Sequence, residues 1–296
     1  MAVRLAAAFW LFYNTILASP IQSRERPNGY CVQLDIPVSA TAPSAVYNIP
    51  QVNSDIEATA WAIWDATWSS PHMGENIIKN TTTSGVFNIH AQLCIPKTSG
   101  KAGILHIATH GVHYDSRYWD SKYRPEEHSQ VEATLKAGYS ILTYDRLGTG
   151  QSDHPDAYTV VQGPLELEIL RQLTLIARNG TLYDLARKSK DTVPAFSKLR
   201  KPSKTVHVGH SFGSVLTSAF IANYGNLSDG AIITGFYYGE RLASAGSTSF
   251  SVKYAATASP PYNRSSGYVV CQKSGIQNIF FAGNPKTAFT PELLDY

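Results

Sequence analysis

Thr205-Val206-His207-Val208 runs straight into Gly209-His210-Ser211-Phe212-Gly213-Ser214. A short apolar, β-branched run ending on a serine flanked by glycines reads as a strand, a tight turn and a helix start. Gly209, Gly213 and Ser214 supply the room that such a strained turn needs, because larger flanking side chains would collide there. Val215 to Tyr224 is the expected helix behind the turn. That geometry holds the Ser211 hydroxyl forward and aims the Phe212 N–H, with the favourable potential of a helix N-terminus, at a point where negative charge on oxygen would develop. A serine hydroxyl is a poor nucleophile near neutral pH unless a base takes its proton, and all nine histidines of the chain stop at His210.

Working outward, Gly103 to Ala108 and Tyr139 to Tyr144 are short β-rich runs of the kind found in fully buried parallel strands. Between them, Pro125 to Ala137 opens with Pro-Glu-Glu and stops at Gly138, which predicts a helix. A second helix is predicted from Pro164 to about Ala177, where Leu165, Leu167, Ile169, Leu170, Leu173 and Leu175 leave an apolar face. Ala231 to Tyr238 is the next strand. Alternation of strand and helix implies an α/β fold, a mostly parallel sheet covered on both faces. Cys31 to Ser39 and Gly85 to Pro96 alternate like two half-buried antiparallel strands that precede it.

Two further turns carry chemistry. Thr109-His110-Gly111-Val112-His113 follows the Gly103 strand and suits a loop giving a second backbone donor, although it also reads as an ordinary turn. His110 and His113 offer no evident third ligand, so no metal is expected. Tyr144-Asp145-Arg146-Leu147-Gly148-Thr149-Gly150-Gln151-Ser152 lacks the Lys-Ser/Thr of a phosphate loop and reads as structural.

With these three motifs in register over roughly residues 30 to 240, the chain resembles the α/β-hydrolase family, especially its secreted fungal members. The resemblance implies Ser211 as nucleophile, an oxyanion hole from Phe212 and from His110, Gly111 and Val112, and acyl transfer from a small carboxylic ester through an acyl-enzyme, without a cofactor. The family continues through two more strands that carry an acid and a histidine. Here only Asp229, Glu240, Glu292 and Asp295 follow the serine, and Asp229 or Glu240 is the possible acid. Three explanations stay open: an active enzyme whose sequence is C-terminally incomplete and lacks the last strands, a non-catalytic ligand-binding relative, or an unusual base such as His113 or His110.

With 43% hydrophobic and 16% charged residues in 296, the composition is that of a globular chain, and 25 basic against 22 acidic residues argue against nucleic-acid binding. Arg4, the apolar stretch Leu5 to Leu17 and Ala18-Ser19 look like a signal peptide over residues 1–18, which implies secretion and no membrane association after its removal. Asn80, Asn179, Asn226 and Asn263 head glycosylation sequons. Of three cysteines, Cys31 and Cys94 are expected to pair and Cys271 to be left over. Residues 19–242 form the expected core. The Ser-, Tyr- and Pro-rich stretch 243–296 looks like lid material. A sheet ending at the Ala231 strand would leave an apolar edge open to self-association.

Overall fold

The long antiparallel hairpin at the start of the chain sets the frame. In this computed structural model, which describes residues 24–66, 76–98, 100–236, 249–258, 262–281 and 289–295, the elements in chain order are β1 (Arg24–Glu25), β2 (Gly29–Tyr47), α1 (Asp55–Ala66), β3 (Ile77–Pro96), β4 (Lys101–Thr109), α2 (Pro125–His128), α3 (Gln130–Lys136), β5 (Tyr139–Tyr144), α4 (Gly163–Arg178), α5 (Thr181–Lys188), β6 (Lys204–His210), α6 (Phe212–Tyr224), β7 (Gly230–Thr234), β8 (Val252–Tyr254), β9 (Val269–Cys271), α7 (Lys273–Phe280) and α8 (Pro291–Asp295). Seven strands form one sheet in the order β1-β2-β3-β5-β4-β6-β7. β1, β2, β3 and β5 pair antiparallel, and β5, β4, β6 and β7 run parallel.

The period-2 pattern sends alternate side chains to two cores. Leu105, Ile107, Leu142 and Tyr144 face α4, whose Leu165, Ile169, Leu170 and Leu173 are buried against them, with Phe220 of α6 beside. Ala108, Ile141 and Val208 face the other way, onto Trp119 and the α3 residues Val131 and Leu135. Helices therefore cover both faces, as the alternation implies. Cys31 lies directly opposite Cys94 in the β2–β3 register and the two are bonded at 2.02 Å.

Several expectations change. β2 and β3 run far beyond Cys31–Ser39 and Gly85–Pro96. The outer half of β2 alternates between core and solvent mostly through small side chains such as Ala40, Ala42 and Ser44, whereas β3 is exposed almost throughout from Ile77 to Ser84, so hydrophobicity gives little signal there. The single helix expected over Pro125–Ala137 is two helices, because Ser129 is extended (φ −100°, ψ 115°) and its Oγ accepts the Glu132 N–H as a new N-cap. Helix α1 had no counterpart in the sequence reading. The stretch 243–296 is not merely loop: the β8–β9 hairpin pairs Val252 with Cys271, and Phe250 and Val252 pack with Val52, Ala58 and Ala62 of the α1 region. The signal stretch 1–18, Glu240 and the end of the Ala231–Tyr238 run lie outside the described residues.

Candidate active site

Strand β6 delivers Ser211 at φ 53°, ψ −121°, immediately before α6. A non-glycine residue there is strained, at a cost of about 1–3 kcal/mol that the surrounding structure must offset. The surroundings leave no alternative. A Cβ on Gly209 would lie 2.6 Å from the Gly213 carbonyl oxygen, and one on Gly213 would lie 2.0 Å from that of Thr109. These glycines let β6, β4 and α6 meet at one point. The Ser211 N–H bonds the Thr234 carbonyl of β7 at 3.0 Å, and Ser214 N–H closes onto Ser211 O at 2.8 Å. As the first helical residue, Phe212 has an N–H with no intrahelical acceptor.

The loop after β4 comes up beside the serine: a Cβ on Gly111 would sit 3.0 Å from Ser211 Cβ. The His110 side chain does not face Ser211. Its Nδ1 pairs with Gly111 O at 2.8 Å and its Nε2 accepts the Arg146 N–H at 3.0 Å, which assigns the Nδ1–H tautomer. Burial, with the neighbouring Arg146 guanidinium adding to it, pushes this imidazole down to about 3. Arg146 also donates Nη2 to Gly111 O at 3.3 Å, pairs through Nη1 with buried Glu166 at 2.6 Å, and lies 4.8 Å over the Phe212 ring. Two donors thus hold the Gly111 carbonyl, and because the peptide is planar the Val112 N–H points the opposite way.

The turn after β5 is the brace behind this arrangement. Asp145 accepts the backbone N–H of Ser116 at 2.8 Å and of Gln151 at 2.7 Å. Gly150 has φ 52° and no room for a side chain, since its Cβ would meet Asp145 Oδ2 at 2.0 Å. The structural reading of Tyr144–Ser152 fits these bonds, and the sequence carried no sign of the part Arg146 plays. A cation after a strand becomes legible only with Glu166 and Gly111 in place around it.

The possible acid Asp229 is a correction. It sits at the far end of the sheet, accepting Thr205 N–H at 2.8 Å and Arg178 Nη1 at 3.1 Å. Thr205 is six residues from Ser211, about 20 Å along a strand. The bases considered, His110 and His113, are not placed for the task either. His113 has φ 60°, its ring packs 4.4 Å from Phe250, and burial pushes it down to about 4, with Arg146 contributing. His210 stacks on Tyr118 at 4.6 Å and its Nδ1 meets Thr234 Oγ1 at 3.1 Å. Among the described residues no side chain makes a hydrogen bond to Ser211 Oγ, and no group of three or more His, Cys, Asp or Glu side chains clusters as metal ligands would.

The strand order, the serine turn after β6 and helices on both faces decide the architecture. The fold is α/β-hydrolase-like. No family model and no curated protein matches the chain. Among solved structures the chain is similar to an esterase from Exiguobacterium antarcticum (17% identity, 50% of this chain, 41% of that one, TM-score 0.34). It is also similar to an epoxide hydrolase from Vigna radiata (14%, 52% and 36%, TM-score 0.33) and to an α/β hydrolase from Novosphingobium aromaticivorans (15%, 50% and 40%, TM-score 0.34). The matched stretch spans about two fifths or less of the length of these structures. Among the described residues no helix is long and apolar enough to cross a membrane.

A cavity of about 930 Å³ opens beside the elbow, between the loops after β4 and β5 and the β8–β9 segment. Ser211 does not line it. The Tyr114 ring lines it, its Cε2 2.9 Å from the Gly111 Cβ position that Ser211 Cβ also approaches.

Proposed function

We propose that this chain carries the acyl-transfer half of a serine carboxylic-ester hydrolase site, with Ser211 as nucleophile and the N–H groups of Phe212 and of the His110–Val112 loop as oxyanion donors. The single observation that carries the reading is the strained Ser211 backbone at the junction of β6 and α6, with Gly111 against its Cβ. Backbone strain held at that cost marks a functional position. No imidazole assists Ser211 among the described residues, and removing the histidine of a triad typically costs on the order of a millionfold in turnover while leaving roughly 10³ to 10⁴ over water. Acylation of this chain by an activated ester is therefore slow, and deacylation, with no base to activate water, is slower still, so that the acyl-enzyme accumulates.

A 4-nitrophenyl acetate burst tests it. The expected result is release approaching one equivalent per chain, with an acetyl mass on the peptide containing Ser211 and loss of both in Ser211→Ala. Equal release from Ser211→Ala overturns the reading. It would favour the second one, a ligand-binding relative without chemistry, which the rings of His110, His113 and His210 turned to other partners also support.

The setting we propose is secretion after removal of residues 1–18, consistent with kinship to secreted fungal members. Glycans on Asn80, Asn179, Asn226 and Asn263 fit the exposure of all four asparagines. The 243–296 stretch would act as a lid, since the described part of it lies over the cavity.

A further inference from the structure

The cavity beside the elbow has a chemistry of its own. Its carboxylates are already satisfied: Asp115 is chelated by Arg117 at 2.7 Å, Asp120 is paired with Arg26, and both oxygens of Asp145 accept backbone N–H groups. Arg264 is not. Its half-buried guanidinium bonds only the carbonyls of Asn263 (2.9 Å) and Gly150 (3.4 Å), with no carboxylate partner among the described residues. His154 Nε2 and Tyr114 Oη, on residues that line the cavity, have no hydrogen-bond partner among the described residues.

The wall carries both charged and aromatic groups. Arg264 is close enough to His154 to add to the burial that pushes this imidazole down to about 4. The ring is thus neutral. Tyr114 and Tyr118 stack at 5.0 Å and 26° in the same wall as Ile276, presenting flat apolar surface.

We propose that this cavity binds a small aromatic carboxylate, its carboxylate held by the Arg264 guanidinium, its ring against Tyr114 and Tyr118. An uncompensated guanidinium matches a planar carboxylate, which its fork takes in bidentate fashion, and Lys122, also in the wall, adds positive potential. A volume of about 930 Å³ is within the range of small-molecule sites. The inference does not rest on Ser211 chemistry, because Ser211 does not line the cavity.

Fluorescence titration of the full chain with 2-naphthoate and with the uncharged 2-naphthamide tests it. The acid is expected to bind at least tenfold tighter than the amide. Arg264→Gln, or Arg264→Met should the first fail to fold as judged by its melting curve, is expected to bring the two within twofold, while Arg264→Lys keeps part of the preference. Ser211→Ala leaves acid binding unchanged. The proposal is overturned if the acid fails to bind at millimolar concentration, if acid and amide bind alike, or if the preference survives both neutral Arg264 variants. Loss of acid binding in Ser211→Ala would also overturn it by placing the acid at the elbow.

Discussion

Ser211 sits in its strained conformation because its neighbours permit nothing else, and the buried histidines around it show the same economy of space. His207 has both ring nitrogens bonded, to Thr174 Oγ1 at 2.9 Å and Ser228 Oγ at 2.8 Å. Burial, with Arg178 adding to it, pushes it down to about 4, as burial does for His113. A histidine whose folded value lies below its unfolded one takes up a proton more readily when unfolded, so the folded state loses stability as pH falls below about 6.5 and goes on losing it down to the folded value. At pH 5 a group such as His207 costs the fold about 2 kcal/mol relative to pH 7.5. Burial pushes Asp115 and Asp120 up, but hydrogen bonds and charge attraction, chiefly from Arg117 and Arg26, together outweigh it and hold both below the usual carboxylate range, so they do not titrate in that window. Thermal melting should show a Tm several degrees lower at pH 5 than at pH 7.5. A flat or rising Tm would contradict these burial effects.

At the scale of elements, the join between the β5 turn and α4 rests on Arg146 and Glu166, both side chains 7% exposed. Removing one partner of such a pair strands a buried charge at about 3–5 kcal/mol. Glu166→Ala should lower the unfolding free energy from urea titration by that amount and slow acylation of Ser211, because Arg146 also holds the Gly111 carbonyl. An unfolding free energy within 1 kcal/mol of the parent, roughly the effect of a surface substitution, would show that Arg146 finds another partner. These elements also show how far the sequence could be read. β4, β5, β6, α4 and the serine turn were legible because each has its own continuous β-rich run, 3.6-residue apolar face or glycine signature. The Ser129 break was not, since a serine inside a helical pattern reveals its capping role only with Asp120 and Glu132 around it. The ends of β2 and β3 and the whole of α1 were missed because their stability comes from partners far along the chain, such as Asp55 accepting the Tyr254 N–H at 3.0 Å. The candidate acid at Asp229 failed for the same reason: the sequence places it after the serine, but only the sheet register shows that it lies at the opposite end.

For the whole molecule, β7 is the edge strand on the parallel side of the sheet among the described residues, with Ile232 and Ile233 45% and 42% exposed. Such an edge presents unpaired N–H and C=O groups next to apolar side chains, a template for another strand. Sedimentation velocity should therefore show concentration-dependent association that Ile233→Lys reduces. A monodisperse monomer at all concentrations would mean that the edge is covered.

The account as a whole stands on an activated position at Ser211, and the most direct test is reaction with a fluorophosphonate probe followed by peptide mapping. The account predicts slow labelling confined to Ser211, absent after Ser211→Ala or heat unfolding. Labelling spread over other serines, or no labelling above that of the unfolded chain, would contradict it.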